Sequence, residues 1–425
     1  MRACSAAILL AWCLAGCAPG SPRVDGVAWR NPGALPVCYL DGHWYEADDT
    51  GVRFLRGDRY ARDGVFVARR PEDCQRIDLD GRFVIPPLSE AHNHSVDGPG
   101  TERAAQRYVD EGIFYYKNPN SIRAFTVDMR AHWARPDTLD IVFSYGGLSR
   151  DEGHPEKLYR MLSSFGLYPD TDVEELDGNA FFDVGTLDKL DARWPAILEG
   201  RPDFLKLYLL EHDTPESAGL SAEVFREIVA RAKDAGLRTT VHVESVADLA
   251  LAVDAGADEA AHLPAYDLAI ARDPARSRIP EALVARMAER DFVVVTTTHV
   301  STGREYSEAD YAVVAERQAD GLQRLHAAGV PIAIGSDTFF ATASAEAATL
   351  RRIGAFDDAT LLRLWIDTAR LSIFPGRAIG RLAPGYEASF LALACDPFDA
   401  FECVQRIELA VKQQFVVTDA RGPID

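Results

Sequence analysis

Short apolar runs alternate with amphipathic segments through the middle of the chain. Between about residue 83 and residue 337, eight runs rich in β-branched and aromatic residues are separated by stretches with apolar positions three and four residues apart. The runs are typical of buried strands, and the spacing between them is typical of helices that pack one face on a sheet. Eight strands that alternate with helices predict an α/β fold, a (β/α)8 barrel of the TIM type, which we assign to residues 83–380.

The two ends of the chain have a different pattern. Residues 37–82 and 381–425 are rich in strands and turns, as in "DGRFV", "ASFLALA" and "QQFVVTD". We expect both ends to build one small composite domain, a β-sandwich beside the barrel. A chain of 425 residues is long enough for one large domain and one smaller one.

The first twenty residues predict a targeting segment. One arginine precedes an apolar run that is too short to span a bilayer as a mature helix. The run ends in "LAGC", which resembles the lipobox of bacterial lipoproteins, whose cysteine becomes the lipidated first residue. This predicts a signal peptide at residues 1–16, lipid on Cys17, and a Pro- and Gly-rich tether to residue 36. An ordinary cleaved signal in which Cys17 is incidental is the alternative.

Export decides how the other cysteines are interpreted. A lipid-anchored protein would face the periplasm or the cell exterior, where disulfides form. Four cysteines remain, and sequence alone allows three pairings. We favour Cys38 with Cys74 and Cys395 with Cys403, while a crosswise Cys38–Cys395 pair and four free thiols remain open.

A net charge of −20 argues against nucleic acid and anionic membrane surfaces as partners, so membrane contact would come from the anchor only.

Polar side chains stand at the predicted C-terminal ends of the barrel strands. His92 and His94 close the first strand, and their i, i+2 spacing points both to one face. Each residue alone has an ordinary explanation, such as a core histidine, a snorkelling lysine or a capping aspartate. Together at one end of one barrel they predict a metal centre. Its members are His92, His94, Lys206, His242, His262 and Asp337.

The residue types suit two divalent metal ions. Neutral imidazole and carboxylate bind Zn²⁺ and similar metals. A lysine amine is a poor ligand because it is protonated at neutral pH, but burial among cations favours the neutral amine, which reacts with CO₂. The resulting carbamate on Lys206 has two oxygens that can bridge two metals. Such a pair holds a hydroxide and polarises a scissile carbonyl.

Several motifs resemble those of a known family. They are "GRFVIPPLSEAHNH", "DFLKLYL", "VHVES" with "ALAVDAGADEAAHLP", "GVPIAIGSDT" and "GRAIGRLAPGYEASFLALACDP". As a set they resemble the amidohydrolase superfamily, in the binuclear group with a carboxylated lysine and its imidazolonepropionase-like and prolidase-like branch. The resemblance covers nearly everything after about residue 30. The chain departs from it at Pro87, at Glu244 and at "AAHLP", which bear on the substrate more than on the metals.

The resemblance implies a role for each ligand. His92, His94 and Asp337 would hold the first metal, His242 and His262 the second, and the Lys206 carbamate would bridge them. Asp337 would also be the catalytic proton shuttle from the hydroxide to the leaving group. Zn²⁺ is favoured, with Mn²⁺, Co²⁺ or Fe²⁺ as alternatives.

The predicted function is hydrolysis of a C–N bond, amide or peptide-like, in a small substrate. Five residues near strand ends are the expected substrate contacts: Lys117, Tyr208, His212, Glu244 and His299. Lactone or phosphoester hydrolysis and deamination on the same centre are alternatives within enzymes. Outside enzymes, the alternative is a lipid-anchored binding protein on an inactive hydrolase fold, which has no need of Lys206 or Asp337. The sequence leaves the substrate and the oligomeric state open.

Overall fold

The computed structural model describes residues 26–48, 51–96, 100–127, 129–166 and 175–421. The predicted signal peptide and the lipidation site Cys17 lie outside the described residues. In the part of the chain that is described, no helix is both long enough and apolar enough to cross a bilayer.

Eighteen strands are present in the described chain. Those of the small domain are β1 (Val37–Asp48), β2 (Gly51–Arg62), β3 (Val65–Val67), β4 (Gln75–Asp78), β5 (Phe83–Ile85), β16 (Phe390–Leu393), β17 (Ile407–Lys412) and β18 (Phe415–Asp419). Those between are β6 (Leu88–Glu90), β7 (Ile113–Asn118), β8 (Asp140–Phe143), β9 (Gly147–Ser149), β10 (Phe181–Asp183), β11 (Phe204–Tyr208), β12 (Arg238–His242), β13 (Glu259–Ala261), β14 (Val293–Val295) and β15 (Ile332–Ala333).

Helices separate the central strands, as the periodicity predicts. They are α1 (Thr101–Asp110), α2 (Arg123–Val127), α3 (Arg130–Trp133), α4 (Glu156–Ser164), α5 (Leu187–Glu199), α6 (Ala222–Asp234), α7 (Val246–Ala255), α8 (Leu268–Ala271), α9 (Pro274–Ser277), α10 (Glu281–Glu289), α11 (Glu308–Ala327), α12 (Ala343–Arg352) and α13 (Asp358–Thr368). Local signals set their ends. In α7, Ser245 and Asp248 form a capping box, and Gly256 takes the left-handed conformation (φ 82°) that ends the helix.

The central strands are parallel and join into a ring. One sheet has the order β6-β7-β8, and the other has the order β10-β9-β11-β12-β13-β14-β15. Backbone hydrogen bonds connect both edges of the three-stranded sheet to the other sheet: Ala91, after β6, donates to Ile334 at 2.9 Å, and Asp203, before β11, donates to Phe143 of β8 at 2.8 Å. Because these strands run parallel, they carry their C-terminal ends to one face. The predicted α/β class, with parallel central strands and a separate β-rich domain, is confirmed.

The small domain takes strands from both chain ends. Its hydrogen bonds form one continuous sheet in the order β18-β17-β16-β5-β1-β2-β3. This sheet branches at β1, whose first residues pair with β4 and whose later residues pair with β5. Disulfides link Cys38 with Cys74 and Cys395 with Cys403, which is the pairing favoured from the sequence.

Two prolines mark the passage from the small domain to the barrel. The run "FVIPPL" divides at Pro86-Pro87, where the missing N–H groups interrupt any ladder. Before them, β5 pairs with β1 and β16 in the small sheet. After them, β6 pairs with β7 in the barrel. The barrel therefore begins after the prolines rather than at residue 83.

Candidate metal centre

The Asp337 carboxylate lies at the centre of three imidazoles. Its Oδ1 atom is 3.2 Å from His94 Nε2 and 3.5 Å from His92 Nε2, and its Oδ2 atom is 3.5 Å from His262 Nε2. His92 and His94 follow β6, His262 follows β13, and Asp337 follows β15. His92, His94 and Asp337 offer ligand atoms within 4.8 Å of one another, close enough to hold one metal ion.

His242 and Lys206 complete the cluster on the far side. The His242 ring centroid is 4.5 Å from that of His262. Lys206, on β11, is only 2 % exposed, and among the described residues its Nζ has no hydrogen-bond partner. Burial lowers the pKa of Lys206 to about 7. Burying an amine that has no hydrogen-bond partner costs free energy. This cost indicates that Lys206 Nζ is placed to bind a further group.

Neighbouring groups fix the orientation of two imidazoles. His94 Nδ1 is 3.0 Å from the carbonyl oxygen of Asn120. Because a carbonyl only accepts, Nδ1 of His94 carries the proton and Nε2 presents a lone pair to the cluster. His262 Nδ1 is likewise 2.7 Å from Thr297 Oγ1. Such outer contacts are the usual means of aiming histidine ligands at a metal.

The backbone at the site is held in conformations that are rare for these residues. His262 has φ 74° and Asp337 has φ 47°, both in the left-handed region. Gly335 permits the close approach of β15 to β6, because a Cβ there would lie 2.8 Å from the His92 backbone nitrogen. Strained backbone that the surroundings enforce is typical of functional sites.

A buried carboxylate supports the first motif from behind. Glu90 is fully buried and accepts hydrogen bonds from the Ser336 amide (2.8 Å), the Ser336 hydroxyl (2.7 Å) and the His92 amide (3.3 Å). Burial raises the pKa of Glu90 to about 8. One of these donors belongs to the predicted ligand His92, and two belong to Ser336, which directly precedes the predicted ligand Asp337.

The electrostatics favour neutral His92 and His262 beside a charged Asp337. Burial, followed by nearby Lys206, lowers the pKa of His92 well below its ordinary value. Burial and His242 do the same to the pKa of His262. Burial alone would raise the pKa of Asp337, but the surrounding imidazoles hold it well below its usual range. Neutral imidazole and ionised carboxylate are the protonation states that bind metals.

The donor types of these residues fit a divalent metal site. The four imidazoles and one carboxylate are the donors that Zn²⁺ and similar ions take. The unpartnered Lys206 amine is placed where a carbamate would have ligand neighbours. The six residues that the sequence predicts as ligands are therefore brought together by the fold.

A cavity of about 690 Å³ opens above the cluster. Tyr208 and His299, two of the five expected substrate contacts, line it. Glu244 does not line the cavity, but it accepts a 2.8 Å hydrogen bond from the hydroxyl of Tyr266, which does. His212 does not line the cavity, and its Nδ1 is 2.8 Å from Asp248 Oδ1.

Lys117 is not at the rim, so that expectation is wrong. Its side chain is buried inside the barrel, with Nζ 2.7 Å from Glu259 Oε1 and 4.4 Å from the centre of the Phe204 ring. The strand pattern correctly places Lys117 near the end of β7, but it does not indicate which residue forms an ion pair with its amine. An internal ion pair with Glu259 removes Lys117 from contact with a substrate.

The cavity also contains residues that the sequence analysis missed. His154 has its ring 5.4 Å from that of His242, and burial lowers the pKa of His154 to about 3. Tyr266 has its ring 5.2 Å from that of His262. Both come from irregular segments after strands, where no periodicity predicts direction. The "HP" of His154-Pro155 is the only local signal, as it marks a constrained turn.

Solved structures with the same architecture were found by comparison. An amidohydrolase aligns with a TM-score of 0.66 at 18% identity, over 90% of this chain and 99% of that one. Ochratoxinase from A. niger aligns with a TM-score of 0.71 at 17% identity, over 92% and 97%. The chain has the amidohydrolase fold. The predicted resemblance is confirmed at this level.

A further structure with the amidohydrolase fold is a putative prolidase from Bifidobacterium longum. It aligns with a TM-score of 0.69 at 16% identity, over 93% of this chain and 97% of that one. No protein-family model matches the sequence, and no curated protein matches it. The likeness therefore lies in the amidohydrolase fold, and the chemistry has to be argued from the site.

Proposed function

We propose that this protein is a metal-dependent hydrolase that cleaves a C–N bond, amide or peptide-like, in a small substrate. The observation that carries the proposal is the convergence of six side chains at one end of the barrel, with a buried Lys206 amine that has no partner among the described residues. The names of the structures with the same fold, which include an ochratoxinase and a prolidase, agree with amide or peptide-like substrates.

Each ligand has a proposed place. His92, His94 and Asp337 would hold one metal, His242 and His262 a second, and the carbamate of Lys206 would bridge them. Zn²⁺ is favoured, with Mn²⁺, Co²⁺ and Fe²⁺ as alternatives. When bound, the metals supply Lewis-acid activation of the amide carbonyl at neutral pH.

Side chains of the protein would transfer the proton and line the cavity beside the ligands. Asp337 is ionised and contacts three imidazoles, so it is placed to take a proton from the attacking water and deliver it to the leaving nitrogen. His154 and Tyr208 form a wall with ring centroids 5.1 Å apart. The Tyr208 hydroxyl donates to Asn120 at 3.1 Å, which fixes this wall.

A screen of dipeptides and N-acyl amino acids tests the proposal. Purified protein loaded with Zn²⁺, Mn²⁺ or Co²⁺ should release free amine from at least one compound, and metal-stripped protein should not. Lactones, phosphoesters and aminated heterocycles belong in the same screen. Turnover of those compounds without any amide hydrolysis would replace the proposed reaction with another one on the same centre. Tight binding without any turnover would favour a binding protein.

We also propose that the protein is exported and anchored by lipid on Cys17. The supports are the short apolar leader and the "LAGC" sequence. Cys17→Ser should move the protein from the membrane fraction to the soluble fraction, while Cys13→Ser in the same leader should leave it anchored. Retention of Cys17→Ser in the membrane fraction would refute the anchor.

A further inference from the structure

We propose that the substrate is an amide with two unlike ends, a large apolar group and a carboxylate, which bind to opposite walls of the cavity. This inference rests on the proposed function and specifies its substrate class. It comes from two series of side chains that lead outward from the ligand cluster, one apolar and the other ending in a guanidinium.

The apolar series starts at His94. The ring centroid of Phe339 lies 5.9 Å from that of His94, and Phe340 follows at 6.5 Å from Phe339. Leu158 and Met161, one turn apart on α4, line the same cavity. Phe340 is 85 % exposed and Met161 is 46 % exposed. Large apolar side chains gathered at the mouth of a pocket gain most when an apolar ligand group covers them.

The polar series starts at His262. Tyr266 lies against it, and the guanidinium carbon of Arg304 is 5.2 Å from the centre of the Tyr266 ring. Arg304 Nη1 donates to Asp267 at 3.0 Å, which holds the guanidinium across the ring. Among the described residues, the other guanidinium N–H groups of Arg304 have no hydrogen-bond partner. A planar guanidinium with free donors is suited to a carboxylate.

The two series fix the order of groups along the substrate. Both start at imidazoles that contact Asp337, so the scissile amide would lie between them. Of the described cavity residues, only Lys206 and Arg304 are cationic side chains of the lysine or arginine type. Since Lys206 belongs to the cluster, Arg304 is left to bind the anionic end. The substrate class is therefore an amide with an aromatic or large aliphatic group on one side of the C–N bond and a carboxylate on the other.

Matched amides test both ends in both orientations. One set is 3-phenylpropanoyl-glycine, its acetyl counterpart and its glycinamide counterpart. The other is succinyl-phenethylamide, with counterparts that lack the phenyl ring or the carboxylate. We expect the parent compound of one set to have a kcat/KM at least about tenfold above that of either counterpart, since an apolar contact in a pocket discriminates by roughly 10- to 100-fold. Equal values throughout both sets would overturn the inference.

Variants assign each end to its wall. Phe340→Ala should lower kcat/KM for phenyl-bearing amides by about tenfold or more and leave the acetyl compounds nearly unchanged. Arg304→Gln should lower it for compounds with a carboxylate and not for their neutral counterparts. The controls are Phe165→Ala, an exposed phenylalanine that does not line the cavity, and Arg272→Gln, an exposed arginine paired with Asp310. Equal losses on every compound would contradict the two-wall arrangement.

A binding measurement separates this inference from the proposed function. If the metal-loaded protein hydrolyses none of the amides, calorimetric titration with the two parent compounds decides. Binding that weakens in both Phe340→Ala and Arg304→Gln would support the two-ended cavity although the hydrolase proposal had failed. Absence of binding, or binding indifferent to both substitutions, would overturn the inference.

Discussion

Glu90 and Ser336 join the first barrel strand to the last. Glu90 Oε1 accepts the Ser336 amide at 2.8 Å, and Glu90 Oε2 accepts the Ser336 hydroxyl at 2.7 Å, although 246 positions separate them in the sequence. Glu90 precedes His92 by two residues, and Ser336 directly precedes Asp337. The pair therefore sets the distance between ligands that follow the first and the last strand of the barrel.

We predict that Glu90→Ala weakens both folding and metal binding. The substitution leaves buried donors of Ser336 and His92 without an acceptor, and we expect the free energy of unfolding to fall by about 2–4 kcal/mol. Metal affinity should fall by about 10- to 100-fold, as for other residues that orient ligands. Denaturant unfolding and metal titration measure the two effects.

The control for Glu90 is Asp140, another fully buried carboxylate, at the start of β8. It pairs with Lys412 at 2.7 Å and with Arg377, and neither partner is a proposed ligand. Asp140→Ala should destabilise the fold and leave metal affinity nearly unchanged. If Glu90→Ala binds metal like the wild type, Glu90 does not position the site.

We predict that Lys206→Ala loses most activity and that short carboxylic acids partly restore it. The acid would supply the two oxygens that the carbamate provides in the intact protein. Activity against acid concentration is the measurement. Lys117→Ala is a matched control, because it removes another buried barrel lysine and leaves the Glu259 carboxylate without its cation, so a second carboxylate in the vacated space would be repelled. Turnover of Lys206→Ala near the wild-type rate would refute the bridging role.

We predict that Asp337→Asn lowers kcat by about 10²–10⁴, the usual range for loss of a general acid–base group. The loss of a charged ligand adds to this effect, so metal content has to be measured on the same sample. Asp310→Asn changes a carboxylate outside the cavity and should have the wild-type kcat. A small change in kcat at full metal loading would place the proton shuttle elsewhere.

We predict that the two disulfides stabilise the small domain and not the metal centre. They close loops with sequence separations of 36 and 8 residues. Chain entropy then gives about 4 kcal/mol for Cys38–Cys74 and about 2–3 kcal/mol for Cys395–Cys403. Reduction should lower the unfolding temperature and leave the metals bound. Release of metal on reduction, before unfolding, would contradict this separation.

The ligand cluster could be predicted because strand ends in a parallel barrel share one face. His92, His242, His262 and Asp337 each follow or close a short apolar run, so their positions along the chain determine their place in space. Lys117 shows where this reasoning fails. It also lies near a strand end, but its long side chain finds Glu259, and sequence does not tell which distant carboxylate is within reach.

Part of the cavity wall could not be predicted because it comes from irregular segments. Tyr266, Arg304 and Phe340 lie outside the strands, and their directions depend on tertiary contacts such as Asp267 with Arg304. The division of "FVIPPL" was missed for a different reason. Its apolar pattern is continuous, and only the two prolines indicate that the chain changes domain there.

Stepwise reloading of metal-free protein with Zn²⁺ tests whether hydrolysis depends on two bound metals. Hydrolysis of a responsive amide is measured while Zn²⁺ is added in known equivalents, with bound metal determined on each sample. We expect no hydrolysis without metal and a rise in rate that ends at two equivalents per chain. A rise that ends at one equivalent would contradict the binuclear centre, and amide hydrolysis by the metal-free protein would contradict the metal-dependent mechanism altogether.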